Sequence, residues 1–165
     1  MEQTVGELVM CKTLEVAAPP ERAFALFTEG IAEWWPVRTH SVAEERAETA
    51  VFEAGVGGRI YERTLDGDEH VWGTVTAWEP PGRVVFTWHP GRGAETAQDV
   101  EVRFEPSGSG TRVELVHTGW DRLGDRAAAQ FEGYDAGWDF VIGERFGTAA
   151  GARPEAPASG SRPDM

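Results

Sequence analysis

The segment GYDAGWDFVIGERF, residues 133–146, decides the fold class of this sequence. Large apolar side chains recur in it and just before it every three or four positions, at Phe131, Tyr134, Trp138, Val141 and Ile142. This spacing predicts a helix with one apolar face. Gly133, Gly137 and Gly143 interrupt that helix, although each interior glycine costs about 0.5–1 kcal/mol relative to alanine. The glycines therefore indicate either close packing against another element or free volume left beside bulky rings.

Six segments of strand length with alternating apolar residues precede this helix. They are AETAVFEAG (47–55), GGRIYERTL (57–65), EHVWGTVTAWEP (69–80), RVVFTWHP (83–90), DVEVRFEP (99–106) and TRVELVHTG (111–119). Turns rich in glycine, proline and aspartate separate them, which is typical of an antiparallel meander. Because side chains alternate along a strand, three apolar faces are predicted to point inward. Their members are Val84, Phe86 and Trp88, then Val100, Val102 and Phe104, then Val113, Leu115 and His117.

The amino-terminal part adds one strand and two short helices. LVMCKTLEVA (8–17) ends in a strand-like alternation, and PPERAFALFTEG (19–30) places proline in the first turn of a helix. A second short helix through IAEWWP (31–36) ends at its proline. The carboxy-terminal residues 148–165 are rich in glycine, alanine, proline and serine, which predicts a disordered tail. The sequence thus predicts one α+β domain over residues 8–147.

Composition and charge narrow the function classes. The chain has 165 residues, with 41% hydrophobic and 26% charged side chains, so it is globular. A formal net charge of −13 opposes binding to nucleic acid or to an anionic membrane surface. No apolar run approaches the roughly 20 residues of a spanning helix, and no secretion signal is evident, so a cytoplasmic location is expected. Cys11 is the single cysteine and is expected to be buried.

The order of the local phrases resembles one known family. VAAPPERAFALFTE, WWP, FEAGVGGRIYER, WGTVTAWEPPGRVVFTWHP, TRVELVHTGW and GWDFVIGERF follow one another over residues 8–147. Together they resemble bacterial domains similar to the activator of heat-shock-protein-90 ATPase, within the START and Bet v 1-like (SRPBCC) helix-grip superfamily. The resemblance implies a curved antiparallel sheet of about seven strands around a long carboxy-terminal helix, with two short helices after the first strand. It also implies a pocket between sheet and helix, since members bind lipids, hormones, polyketides and other apolar molecules.

Aromatic side chains supply the candidate binding residues for such a pocket. The sequence has seven tryptophans, and each offers a large apolar surface with one N–H donor. The pocket-lining candidates are Trp34, Trp35, Tyr61, Arg63, Phe86, Trp88, Val102, Phe104, Leu115, His117, Trp120, Tyr134 and Trp138. Each aromatic ring has a purely structural interpretation as core. Strand parity leaves open whether Trp72, Trp78 and Arg63 face the pocket.

Three function classes remain open. The first is non-covalent binding of a small apolar or aromatic molecule. The second is a cyclase or hydrolase that uses the same pocket, with the inward His117 and an acid transferring a proton. The third is a protein-interaction role with a chaperone partner. No histidine pair has the helical spacing of a zinc site, and no phosphate loop or dinucleotide fingerprint is present, so no metal or cofactor is expected. The protein is expected to be a monomer or a homodimer.

Overall fold

The chain forms a seven-stranded antiparallel sheet and a long carboxy-terminal helix, so the predicted α+β helix-grip fold is confirmed. A computed structural model describes residues 8–37 and 39–151. The strands are β1 (Met10–Val16), β2 (Ala47–Phe52), β3 (Arg59–Thr64), β4 (Glu69–Glu79), β5 (Arg83–Trp88), β6 (Gln98–Ser107) and β7 (Gly110–Thr118). The two predicted short helices are α1 (Pro20–Phe27) and a 3₁₀ turn (Ile31–Glu33).

The strands pair in the order β1-β7-β6-β5-β4-β3-β2, and the sheet curls into a half-barrel. Strands β2 to β7 therefore form the predicted meander, and β1 pairs along its last strand. The three predicted inward faces are buried, from Val84 on β5 to His117 on β7. Cys11 lies on the edge strand β1, and it is exposed to solvent. The expectation of a buried thiol is therefore wrong.

A β-bulge changes the direction of the side chains along β4. Ile60 pairs with Gly73 and Tyr61 pairs with Val71, so Trp72 is an extra residue in the ladder. A bulge bends the strand and redirects the side chains that follow it. As a result, Trp72 and Val75 are both buried although they are three residues apart.

The C-terminal helix covers the concave face of the sheet. It consists of α2 (Ala127–Trp138), a π-helical segment (Asp139–Phe146) and α3 (Gly147–Ala150), and it follows a 3₁₀ segment (Trp120–Arg126). Its end is fixed to the chain after β1, because Ala17 N donates to Gly151 O at 2.7 Å and Ala18 N donates to Ala150 O at 3.1 Å. The helix thus extends past the predicted domain end at residue 147. The remainder of the predicted tail, residues 152–165, lies outside the described residues.

Candidate functional site

A cavity of about 400 Å³, open on one side, lies between the sheet, the C-terminal helix and the loop after Trp35. We call it the tryptophan cavity. Its aromatic walls are Trp35, Trp72, Trp88, Tyr134 and Trp138. The loop contributes polar side chains at Thr39, His40 and Ser41. None of the described lining residues carries a formal charge, which suits an apolar or aromatic occupant.

The four tryptophans contact one another around this space. The ring centroids of Trp35 and Trp72 are 4.9 Å apart, and those of Trp72 and Trp88 are 5.7 Å apart. Trp138, on the helix, lies 5.4 Å from Trp88 and 6.1 Å from Trp35. These separations are the usual ones for aromatic pairs. The rings therefore support one another and present a rigid aromatic wall.

The glycines of the helix border empty space. A Cβ atom built on Gly133, Gly137 or Gly143 meets no atom within 4 Å. Gly137 lines the tryptophan cavity, and Gly133 and Gly137 both line an adjoining surface cavity, also of about 400 Å³. Close packing therefore does not explain these glycines. At Gly137, the missing side chain leaves the cavity free.

Glu62, on β3, fixes the loop that forms one wall. Its side chain is fully buried, and its two carboxylate oxygens accept three hydrogen bonds. Val42 N donates to Oε1 and Ala43 N donates to Oε2, both at 2.7 Å, and Trp72 Nε1 donates to Oε1 at 2.6 Å. A charged acceptor with several N–H donors makes strong hydrogen bonds in a buried site. Glu62 therefore joins the loop and one tryptophan of the cavity to the sheet.

His40 is the histidine of the tryptophan cavity, and it also lines the adjoining one. Its ring stacks on Phe140 of the C-terminal helix, with the centroids 5.1 Å apart. Its carbonyl oxygen accepts a hydrogen bond from Trp35 Nε1 at 2.8 Å. Burial lowers the pKa of His40 because the charged imidazolium loses hydration.

His117 is buried behind the cavity wall and does not line it. Its Nε2 lies 3.1 Å from Gln98 Oε1, and its Nδ1 accepts a hydrogen bond from Trp138 Nε1 at 3.0 Å. Gln98 Nε2 donates to Thr96 O, so Gln98 Oε1 is the acceptor and His117 carries its proton on Nε2. Burial, followed by the nearby positive charge of Arg92, lowers the pKa of His117 to about 3. His117 is therefore a neutral residue that orients Trp138.

Residues 8–37 and 39–151 show neither a metal-binding cluster nor a membrane-spanning helix. These residues contain no cluster of three or more histidine, cysteine or acidic side chains that could hold a metal ion. Their helices are all too short or too polar to cross a bilayer.

Comparison with known proteins gives the family. The model of the "Activator of Hsp90 ATPase homolog 1-like protein" family matches residues 17–149. The chain belongs to this family. Comparison with curated protein sequences found no significant match.

Solved structures are similar to this chain over most of its length. A structure described as "an anthrahydroquino-Gama-pyrone synthase Txn09 complexed with SUM" is 35% identical, with a TM-score of 0.60. The match covers 88% of this chain and 99% of that chain. The Aha1 dimer from Colwellia psychrerythraea is 18% identical over 87% of this chain and 96% of that one, with a TM-score of 0.60. A Bacillus halodurans protein is 22% identical over 87% and 96%, with a TM-score of 0.62. The last two show the fold alone.

Four of the residues predicted from sequence line the tryptophan cavity of this activator-like domain: Trp35, Trp88, Tyr134 and Trp138. The other candidates do not line it, and they are Trp34, Tyr61, Arg63, Phe86, Val102, Phe104, Leu115, His117 and Trp120. For Trp34, Phe86 and Phe104 the reason is that their rings pack against Phe24, Phe27 and Phe146, which fill the space above them. Strand parity identifies the inward face but not the part of it that stays empty.

The two tryptophans of β4 that parity left open both face the interior. Trp72 lines the cavity, whereas Trp78 is half-buried and packs edge-on against Phe24 at 5.1 Å. Arg63 is half-buried and lies outside the cavity wall. Sequence reasoning missed Glu62 and His40 as site residues. Glu62 carries no signal beyond its place in a strand, and His40 lies in a loop without periodicity.

Proposed function

We propose that this protein binds a small multi-ring aromatic molecule in the tryptophan cavity. The observation that carries the proposal is the aromatic wall of Trp35, Trp72, Trp88 and Trp138, left open beneath Gly137. Flat rings stack on such walls, and the polar loop side chains offer hydrogen bonds at the edge of the cavity. The volume of about 400 Å³ is within the usual range for small-molecule sites.

The 35% identical relative supports an aromatic ligand. Its printed name is that of a synthase of an anthrahydroquino-γ-pyrone, a fused-ring compound. This name also favours a second candidate function, a cyclase that acts on an aromatic substrate in the same cavity. In that case His117 is not the proton-transfer group, because both of its ring nitrogens are engaged within the core.

A chaperone-linked interaction is supported by the family description alone. The large exposed apolar side chains of the described residues are Val9, Val42, Val56 and Leu65, on four separate segments of the chain. An interaction module would present such residues as one patch.

Three further expectations stay predictions: the cytoplasmic location, the choice between monomer and homodimer, and the single domain over residues 8–147.

Tryptophan fluorescence tests the binding proposal. The protein is titrated with alizarin, quercetin, progesterone and palmitate. We expect saturable quenching by the planar aromatic compounds, strongly reduced in Trp88→Phe. Trp88 suits this test because its Nε1 has no partner among the described residues, so the change removes no hydrogen bond. Trp78→Phe is the matched control outside the cavity. Equal quenching in both variants, or no saturable response to any compound, would refute the proposal.

A further inference from the structure

His40 lies where the tryptophan cavity and the adjoining cavity meet. Both cavities are lined by His40, Tyr134 and Gly137. The imidazole ring stacks on Phe140 at an interplanar angle of 24°. The backbone N–H and carbonyl groups of His40 also make hydrogen bonds. His40 N donates to Pro36 O at 2.9 Å, and His40 O accepts from Trp35 Nε1. The ring is therefore fixed at the border of the empty space.

The hydrogen bonds around His40 are compatible with a tautomer in which Nε2 is free. Nδ1 lies 2.8 Å from Thr39 Oγ1, and that hydroxyl donates its proton to Pro36 O at 3.3 Å. A hydroxyl has one proton to donate, so while Thr39 Oγ1 donates to Pro36 O it accepts from Nδ1–H, and this is the imidazole tautomer on which the inference is built. Nε2 then carries the lone pair, and no hydrogen-bond partner for Nε2 is found among residues 8–37 and 39–151.

The surroundings of His40 keep this lone pair available. Among the described lining residues of the two cavities, Tyr134 is the other titratable group, and none is charged. Phe140, packed on the ring from the helix, is apolar. Burial lowers the pKa of His40, so the imidazole is neutral at pH 7. A neutral imidazole with a free nitrogen at a cavity is a proton acceptor.

We propose that His40 Nε2 accepts the proton of an acidic hydroxyl on the bound molecule, which makes the ligand a phenol or enol with fused aromatic rings. The inference rests on the proposed function, because the ring system must occupy the tryptophan cavity. In the step the O–H bond breaks, its electron pair stays on the oxygen, and an N–H bond forms on His40. The products are a phenolate and an imidazolium, and their mutual attraction between apolar walls must offset the burial that disfavours the charged imidazole.

The test uses alizarin, a hydroxyanthraquinone whose visible absorption changes when it ionises, in buffer with a chelator. Spectra are recorded below the pH at which free alizarin ionises, with protein in excess. We expect phenolate absorption from alizarin bound to the wild-type protein and to His70→Gln, which changes a histidine outside both cavities. We expect at least tenfold less phenolate with His40→Gln, whose folding is checked by circular dichroism and whose binding is checked by fluorescence.

The 2-methyl ether of alizarin lacks the acidic 2-hydroxyl group that would give its proton to His40. Comparing the ether with alizarin separates the two proposals. If alizarin and the ether both bind and the alizarin spectrum is the same in wild type and His40→Gln, the role of His40 is refuted and the binding function stands. If neither compound binds to the wild-type protein, the proposed function fails, and the inference fails with it. Binding of both, with phenolate formed only where His40 is present, supports the inference.

Discussion

Gly137 offers a test in which stability and binding should change in opposite directions. The residue lies inside α2, and a Cβ atom there meets nothing within 4 Å. Gly137→Ala should therefore gain helix propensity without a clash, which is worth about 0.5–1 kcal/mol. For a chain of this size, that gain raises the melting temperature by roughly 1–4 °C. Thermal unfolding followed by circular dichroism measures it.

A larger side chain at the same position should obstruct the ligand. Gly137→Leu places a branched side chain in the tryptophan cavity, where extra methyl groups against a bound molecule cost about 1–3 kcal/mol. We expect the affinity for alizarin, measured by fluorescence titration, to fall roughly tenfold to a hundredfold. The unliganded protein should keep its fold, because the added atoms enter empty space.

Gly143, in the π-helical segment of the C-terminal helix, is the control for the change to leucine. It lies on the same helix with the same open surroundings, but it is exposed to solvent and does not line the cavity. Gly143→Leu should leave alizarin affinity unchanged. Unchanged affinity in Gly137→Leu would refute the reasoning that this glycine borders a ligand site. A lower melting temperature in Gly137→Ala would show instead that Gly137 is needed for close packing.

Two further predictions concern buried polar residues. In Glu62→Gln, an amide NH₂ group, which donates, replaces one carboxylate oxygen, which accepts a backbone N–H of the loop. We therefore expect the free energy of unfolding to fall by about 1–3 kcal/mol and hydrogen exchange at the Val42 amide to become faster. Glu69→Gln, at an exposed ion pair of β4, is the control, and equal exchange at Val42 in the two variants would contradict the role of Glu62. His117 has a native pKa of about 3, well below the ordinary value of 6.5, so its contribution to stability is complete above pH 6.5 and is lost progressively as the pH falls toward 3. Between pH 7 and pH 5 the free energy of unfolding should fall by about 2 kcal/mol more in the wild type than in His117→Gln, as measured by denaturant titration, and parallel pH profiles would contradict this.

The fold could be predicted from the sequence because the patterns that define its strands and its long helix are local. Turn residues at regular intervals define the strands, and helical spacing from Phe131 to Ile142 defines the helix that covers them. The site depends instead on features with no local signature. The bulge at Trp72 depends on pairing between two strands, and Glu62 meets its loop partners across 19 and 20 residues of sequence.

The lack of a local signature also explains why the alternation of side chains along the strands predicted too many pocket residues. Leu115 and Trp88 are both inward-facing, and both are fully or almost fully buried. They differ only in what lies above them, which depends on where α1 and the C-terminal helix pack. The glycines were the exception, because a helix that tolerates them in its interior points to open space or close contact, and the structure shows open space at Gly137.

The most direct test of ligand binding in the tryptophan cavity is an NMR titration of the indole N–H signals. Each of the seven tryptophans carries one indole N–H group, and single Trp→Phe variants assign the signals. On addition of alizarin, we predict large shifts for Trp35, Trp72, Trp88 and Trp138, which line the cavity. Trp78 should not move, because it packs against Phe24 outside the cavity. Shifts confined to Trp78, or no shift in the four cavity tryptophans at saturating alizarin, would contradict the account.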